Sequence, residues 1–74
     1  MRFSWDPKKA AANLKRHRVS FEEASTVFRD MLSVTGTDPD YSVDELRFVT
    51  FGNSVNTRLL AVLHTEENDK IRIK

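Results

Sequence analysis

Cysteine is missing from all 74 residues, which excludes disulfides, thiolate nucleophiles and cysteine-based zinc sites, and suits a reducing cytoplasm. Glycine and proline occur only twice each, so the chain has no glycine-rich phosphate loop. No spacing of metal ligands is visible either, and no metal or other cofactor is expected. Long apolar runs are also lacking. The longest, Leu59 to Leu63, falls far short of the roughly 20 residues a spanning helix needs, and the N-terminus has no secretion-signal stretch. A soluble cytoplasmic protein, not associated with membrane, is therefore expected. A chain this short makes one domain, residues 1–74, and buries roughly 60% of its unfolded surface.

Net charge is nearly absent at +1, but its distribution is uneven. Residues 1–19 carry six basic side chains against one acidic, whereas residues 20–45 carry seven acidic against one basic. The remainder, 46–74, is basic again, five against three. Such segregation suits a basic face for a polyanion and an acidic face for a basic partner. It equally suits a fold that intermixes the charges into ordinary solvated surface.

Local signals place the elements. "RFSW" alternates as a short strand does, and Asp6-Pro7 supplies a helix N-cap followed by a first-turn proline, so a helix should run from Pro7 to about His17. Ser20-Phe21-Glu22-Glu23 is a capping box that opens a second helix, with the Glu23 carboxylate expected to reach back to the N-cap. Phe21, Ala24, Val27 and Phe28 then form one apolar stripe facing the core. From residue 31 the period changes to two: "MLSVTGT", "ELRFVTFGN", "TRLLAVLHTEE" and "KIRIK" read as strands, with "DPDYSVD" a polar loop. The fold class expected is α+β: a short N-terminal strand, two helices, then a mostly antiparallel sheet of about four strands.

Alternation sorts the strand side chains into rows. Leu59, Ala61 and Leu63 form one row, and Arg58, Leu60, Val62 and His64 the other. If the strands pair as hairpins, Arg47, Arg58 and Arg72 converge on one exposed sheet face beneath the first helix. On that helix, Lys9, Asn13 and His17 share one side, while Ala10, Ala11 and Leu14 are expected against the sheet. Lys15, Arg16, His17 and Arg18 also suit a helix C-terminus, where cations complement the macrodipole.

Trp5-Asp6, Lys9, Asn13, Arg16-His17 and the run Val19-Ser20-Phe21-Glu22-Glu23-Ala24, continued by "DPDYSVDELRFVTFG", "TRLLAVLHTE" and "DKIRI", resemble the BrnT toxins of bacterial toxin–antitoxin systems. The resemblance implies a RelE-like fold and metal-independent cleavage of RNA. It also implies neutralisation by a BrnA-type ribbon-helix-helix antitoxin, with operator DNA bound only through the toxin–antitoxin complex. Metal-free cleavage requires activation of a ribose 2′-hydroxyl, stabilisation of phosphoryl charge and protonation of the leaving oxygen. Arginine and histidine suit these tasks. The candidate catalytic residues are accordingly His17, Arg58, Arg47 and Arg72. Lys9, Arg16 and His64 are candidates for binding RNA, although His64 also reads as a partly buried packing residue. The alternative function is a toxin-like module that binds an antitoxin or RNA without cleavage.

Two departures from the family pattern stand out. Arg18 occupies a position where the family has glycine, and Tyr41-Ser42 stands where many members have His-Ser. Family members also continue past Ile-Arg-Ile into a basic C-terminal helix, which this chain does not include; an inactive, self-associating form is one expectation that follows.

Overall fold

In the computed structural model, which describes residues 1–38 and 46–74, strand β1 (Arg2–Ser4) leads into helix α1 (Pro7–His17). The Asp6 carboxylate accepts a hydrogen bond from the Lys8 amide at 3.0 Å and so caps the helix as its chemistry favours. At the other end the Arg18 amide donates to the Leu14 carbonyl at 2.9 Å, and Arg18 is left-handed at φ 61°, ψ 29°. An arginine thus performs the turn usually given to glycine, at a steric cost of about 1 kcal/mol.

Ser20 caps the second helix, its hydroxyl accepting from the Glu23 amide at 3.0 Å. Helix α2 is short (Phe21–Ser25) and tightens into a 3-10 turn, Thr26–Arg29. Phe21, Ala24 and Val27 are buried, Val27 completely; full burial of one such side chain contributes about 1.5–3 kcal/mol. The Glu23 carboxylate does not reach back to the cap as the capping box suggests. It turns inward to Arg58 and Ser54, because a buried carboxylate is better served by a guanidinium and a hydroxyl than by one amide.

The remaining strands are β2 (Val34–Thr37), β3 (Phe48–Asn53), β4 (Leu59–Glu67) and β5 (Lys70–Ile73). The first strand joins them, giving one five-stranded sheet in the order β1-β5-β4-β3-β2. Among the described residues only the β1–β5 pairing is parallel; the rest is antiparallel, as expected. Asn68 and Asp69, both at positive φ, make the tight β4–β5 turn. Strand β2 starts later than its apolar run suggests, because the Asp30 carboxylate accepts from the Leu32 amide at 2.9 Å and holds Met31 and Leu32 in an exposed turn. The expected "DPDYSVD" loop lies, except for Asp38, outside the described residues.

The helices cover one face of the sheet. Val62 and His64 face them with Ile71 and Ile73, whereas Leu59 is 74% exposed and Ala61 and Leu63 also face away. The row that ends in Arg58 and His64 is therefore the core row. Trp5 and Phe21 meet edge to face at 6.0 Å between centroids. Helix α1 is lightly held: Ala10 packs on the core, but Ala11 and Leu14 are exposed, contrary to expectation. Gly52 lies where β3 passes under the 3-10 turn, and a Cβ there would come within 2.9 Å of Ser33 Cβ and 3.0 Å of Val27 Cγ1.

Replacing Arg18 by glycine should relieve the left-handed strain and raise the thermal midpoint by a few degrees, corresponding to roughly 0.5–1 kcal/mol. Calorimetry of Arg18→Gly checks this; a lower midpoint contradicts the strain.

Candidate functional site

Arg58 follows the β3–β4 turn and points back toward α2. Its Nε donates to Glu23 Oε2 at 2.9 Å, and its Nη2 donates both to Glu23 Oε1 and, at 3.0 Å, to the Arg18 carbonyl. Ser54 donates to the same Glu23 oxygen, Oε2, at 2.6 Å. The Ser54 oxygen also accepts from the Asn56 amide at 3.2 Å, so one hydroxyl shapes the turn and holds the carboxylate. The Glu23 side chain is 7% exposed, that of Arg58 43%. The Arg58 and Ser54 hydrogen bonds lower the Glu23 pKa to about 2, and Glu23 raises that of Arg58.

The Arg18 carbonyl that Arg58 holds is one residue from His17, at the end of α1. There the Asn13 side-chain amide donates to the Val19 carbonyl at 3.0 Å and fixes the chain as it leaves the helix. Between this corner and β4 runs a groove of about 450 Å³, with His17, Asn13 and Lys74 among its lining and Phe21, Leu60 and Val62 contributing apolar walls. A smaller depression of about 200 Å³ adjoins it and includes Lys9, Arg16 and Lys74. The fold thus places His17 on the groove and Lys9 and Arg16 on the depression that adjoins it, while Arg58 lines neither and is bound to Glu23 and the Arg18 carbonyl. Asn13 and Lys74 complete the rim without having been singled out as site residues. The i, i+4 relation to Lys9 was the available signal for Asn13. Nothing local signals that Glu23 would meet Arg58.

His64 is placed elsewhere. Its side chain is completely buried, edge-on to Phe28 at 4.9 Å and stacked on Phe48 at 5.8 Å, so the expectation that it contacts RNA gives way to its packing role. Nε2 lies 2.8 Å from the Thr50 hydroxyl, which is 2.7 Å from that of Thr35. Among the described residues Nδ1 has no hydrogen-bond partner, but it faces a Glu66 carboxylate oxygen at 3.4 Å. A lone pair there would be repelled, so the proton belongs on Nδ1 and Thr50 donates to Nε2. Burial pushes the His64 pKa down, with Glu66 opposing.

Arg47 and Arg72 do not converge with Arg58. Arg72 alternates with the buried Ile71 and Ile73 and so projects from the open face, where Nη1 lies 3.4 Å from Ser4 Oγ. Arg47 precedes Phe48, which stacks on His64, and alternation directs it away from the helices as well. The expected triad fails because Arg58 shares the parity of His64 on β4, while Arg72 pairs with Thr65.

The fold and groove define a class of small α+β protein in which a cationic helix flanks a one-sided sheet. More particularly, residues 5–73 match the family model described as the ribonuclease toxin, BrnT, of type II toxin–antitoxin systems, and the chain belongs to that family. Membership of such a system implies an antitoxin partner. No curated protein matches the chain. Among the described residues no helix is long and apolar enough to cross a membrane.

Because the Glu23 pKa is depressed from 4.5 to about 2, the stability it contributes is present above pH 4.5 and drains away as pH falls through 2. Thermal midpoints of Glu23→Gln should lie below wild type at pH 7 and converge with it near pH 2. The depressed His64 pKa has the same sign, its contribution being lost as pH falls below about 6.5. In an NMR titration the His64 ring should be more neutral than protonated at pH 6.5; half-protonation there would contradict its burial.

Proposed function

We propose that the chain is a metal-independent endoribonuclease of RelE-like fold, acting in the cytoplasm, whose RNA site is the cleft beside the end of α1 and whose inhibitor is a BrnA-type antitoxin. The observation that supports it best is the gathering of Lys9, Arg16 and His17 around one groove and the depression that adjoins it, in a chain that matches a ribonuclease-toxin family. RNA carries its own nucleophile, the 2′-hydroxyl adjacent to each phosphate. A general base takes the 2′-hydroxyl proton, the oxygen attacks phosphorus in line, and the 5′-oxygen leaves with a proton from a general acid. The products are a 2′,3′-cyclic phosphate and a 5′-hydroxyl.

His17 is the imidazole in a position to exchange those protons, since His64 is sealed in the core. Lys9 and Arg16 hold flanking phosphates as fixed cations. Arg58 uses Nε and Nη2 on Glu23 and the Arg18 carbonyl, which leaves Nη1 to meet a phosphoryl oxygen. Arg47 and Arg72, on the other side of the sheet, take no part. The engagement of Arg58 by Glu23 also favours a second reading, in which the arginine is structural and the cleft binds RNA without cutting it.

Cleavage of a labelled RNA in EDTA distinguishes the two. His17→Ala should lower the rate about 10²–10⁴-fold with the thermal midpoint preserved, and a 2′-deoxy substitution at the scissile position should block cleavage. Binding of RNA without any cleavage by the wild type supports the second reading.

A further inference from the structure

Strand β2 is the outer strand of the sheet, and among the described residues it has a strand neighbour on one side only, β3. It lies apart from both chain ends, since β4 and β3 separate it from β5 and β1 forms the opposite edge. The two edges differ in chemistry. Strand β1 is three residues long and carries Arg2, which suits an edge that stays unpaired. Strand β2 reads Val-Thr-Gly-Thr, with no charge and no proline, and all of its residues are exposed.

The direction of its backbone groups follows from one bond and the register. The Asp38 amide donates to the Arg47 carbonyl at 2.8 Å, and the pairing with β3 continues in the same frame, Gly36 with Val49 and Val34 with Phe51. Amide and carbonyl of one residue share a side in an antiparallel strand and alternate along it. Gly36 and Val34 thus turn these groups to β3, whereas Thr35 and Thr37 turn theirs to the free edge. The Thr35 hydroxyl, 2.7 Å from that of Thr50, holds the strand in this orientation.

Gly36 adds a second sign of a partner at this edge. A Cβ there would meet nothing within 4 Å, and no glycine among the described residues has a positive φ. Neither packing nor backbone conformation within the chain calls for glycine, which weakens a strand and marks places where another backbone comes close. Two residues earlier on the same face, Val34 is 65% exposed beside Phe51, itself half exposed.

Antiparallel pairing of two copies about Thr35 uses both residues. With the two Thr35 residues opposite each other, Val34 of one copy stands opposite Gly36 of the other, in the kind of pair where side chains come closest. The position without a side chain receives the branched apolar one. A pairing centred on Gly36 would instead set Val34 opposite the Asp38 carboxylate. An uncharged strand offers a charged partner nothing to read, and it meets its own copy without repulsion.

We propose that β2 pairs with β2 of a second copy, antiparallel and about a two-fold axis at Thr35, joining the two sheets into one. Four residues a side, against roughly 20–30 in a standard interface, make the association weak and concentration-dependent. No residue of β2 lines the groove or the depression beside α1, so both stay open in the dimer.

Sedimentation and hydrogen exchange on the full chain between about 10 μM and 1 mM test it. The dimer fraction should rise with concentration, and exchange of the Thr35 amide should slow about three-fold across the range. Gly36→Lys sets a charged side chain against the copy's valine and should abolish the dimer. Its thermal midpoint in dilute solution should stay within a few degrees of wild type, because the new Cβ enters open space. Val34→Lys removes the apolar contact at an exposed position; it should also abolish the dimer, and remains informative if the first variant does not fold. A chain that stays monomeric up to about 1 mM overturns the proposal. A dimer that survives both substitutions, or in which the Thr35 amide exchanges at its dilute rate, overturns it as well. Protection of Thr35 by the antitoxin, with no self-association of the chain alone, assigns the edge to the antitoxin and overturns it too. None of these outcomes bears on RNA cleavage.

Discussion

The bond between Glu23 and Arg58 organises this small fold. A carboxylate buried to 7% exposure survives only with a cation and a hydroxyl at its oxygens. Supplying them draws the β3–β4 turn onto α2. Asp30 and Thr26 reinforce the same junction, accepting from the Asn53 and Val55 amides at 2.8 and 2.9 Å. Arg58 then reaches the Arg18 carbonyl, so the left-handed end of α1 is held by the same guanidinium. The sheet, the second helix and the exit of the first helix thus depend on one ion pair, and the position of His17 follows from it.

A sheet covered on one face shapes what remains. Helix α1 buries none of its residues completely and lies as a flank beside the sheet. Its polar and charged residues Lys9, Asn13, Arg16 and His17 line the groove and the depression beside it. Few contacts and high charge suit an element that meets a polyanion.

Much of this architecture was legible from short-range signals. The Asp6-Pro7 start of α1, the Ser20 cap, the Phe21–Ala24–Val27 stripe and the alternating strands all depend on neighbours within a few residues. Errors arose where a distant partner decided the outcome. Alternation placed Arg58 with Arg47 and Arg72 on one exposed sheet face, yet the sheet turned the other way. The row of Arg58 and His64 goes inward because Arg58 is bound at one end by Glu23 and His64 at the other by Thr50 and two phenylalanine rings. Once that row is inside, Arg72 must face outward, and the predicted arginine cluster disperses.

The amino-acid sequence by itself determined which elements form, where the two helices begin and that the chain carries the marks of a ribonuclease-toxin family, since caps, periodicity and motif spacing are local properties. Tertiary structure alone decided which face of each strand is buried, which histidine meets solvent and which arginine is tied to a carboxylate. Those outcomes depend on pairing register and on long-range desolvation: a residue's partner across the sheet, 35 positions away in the case of Glu23 and Arg58, leaves no trace in its own neighbourhood.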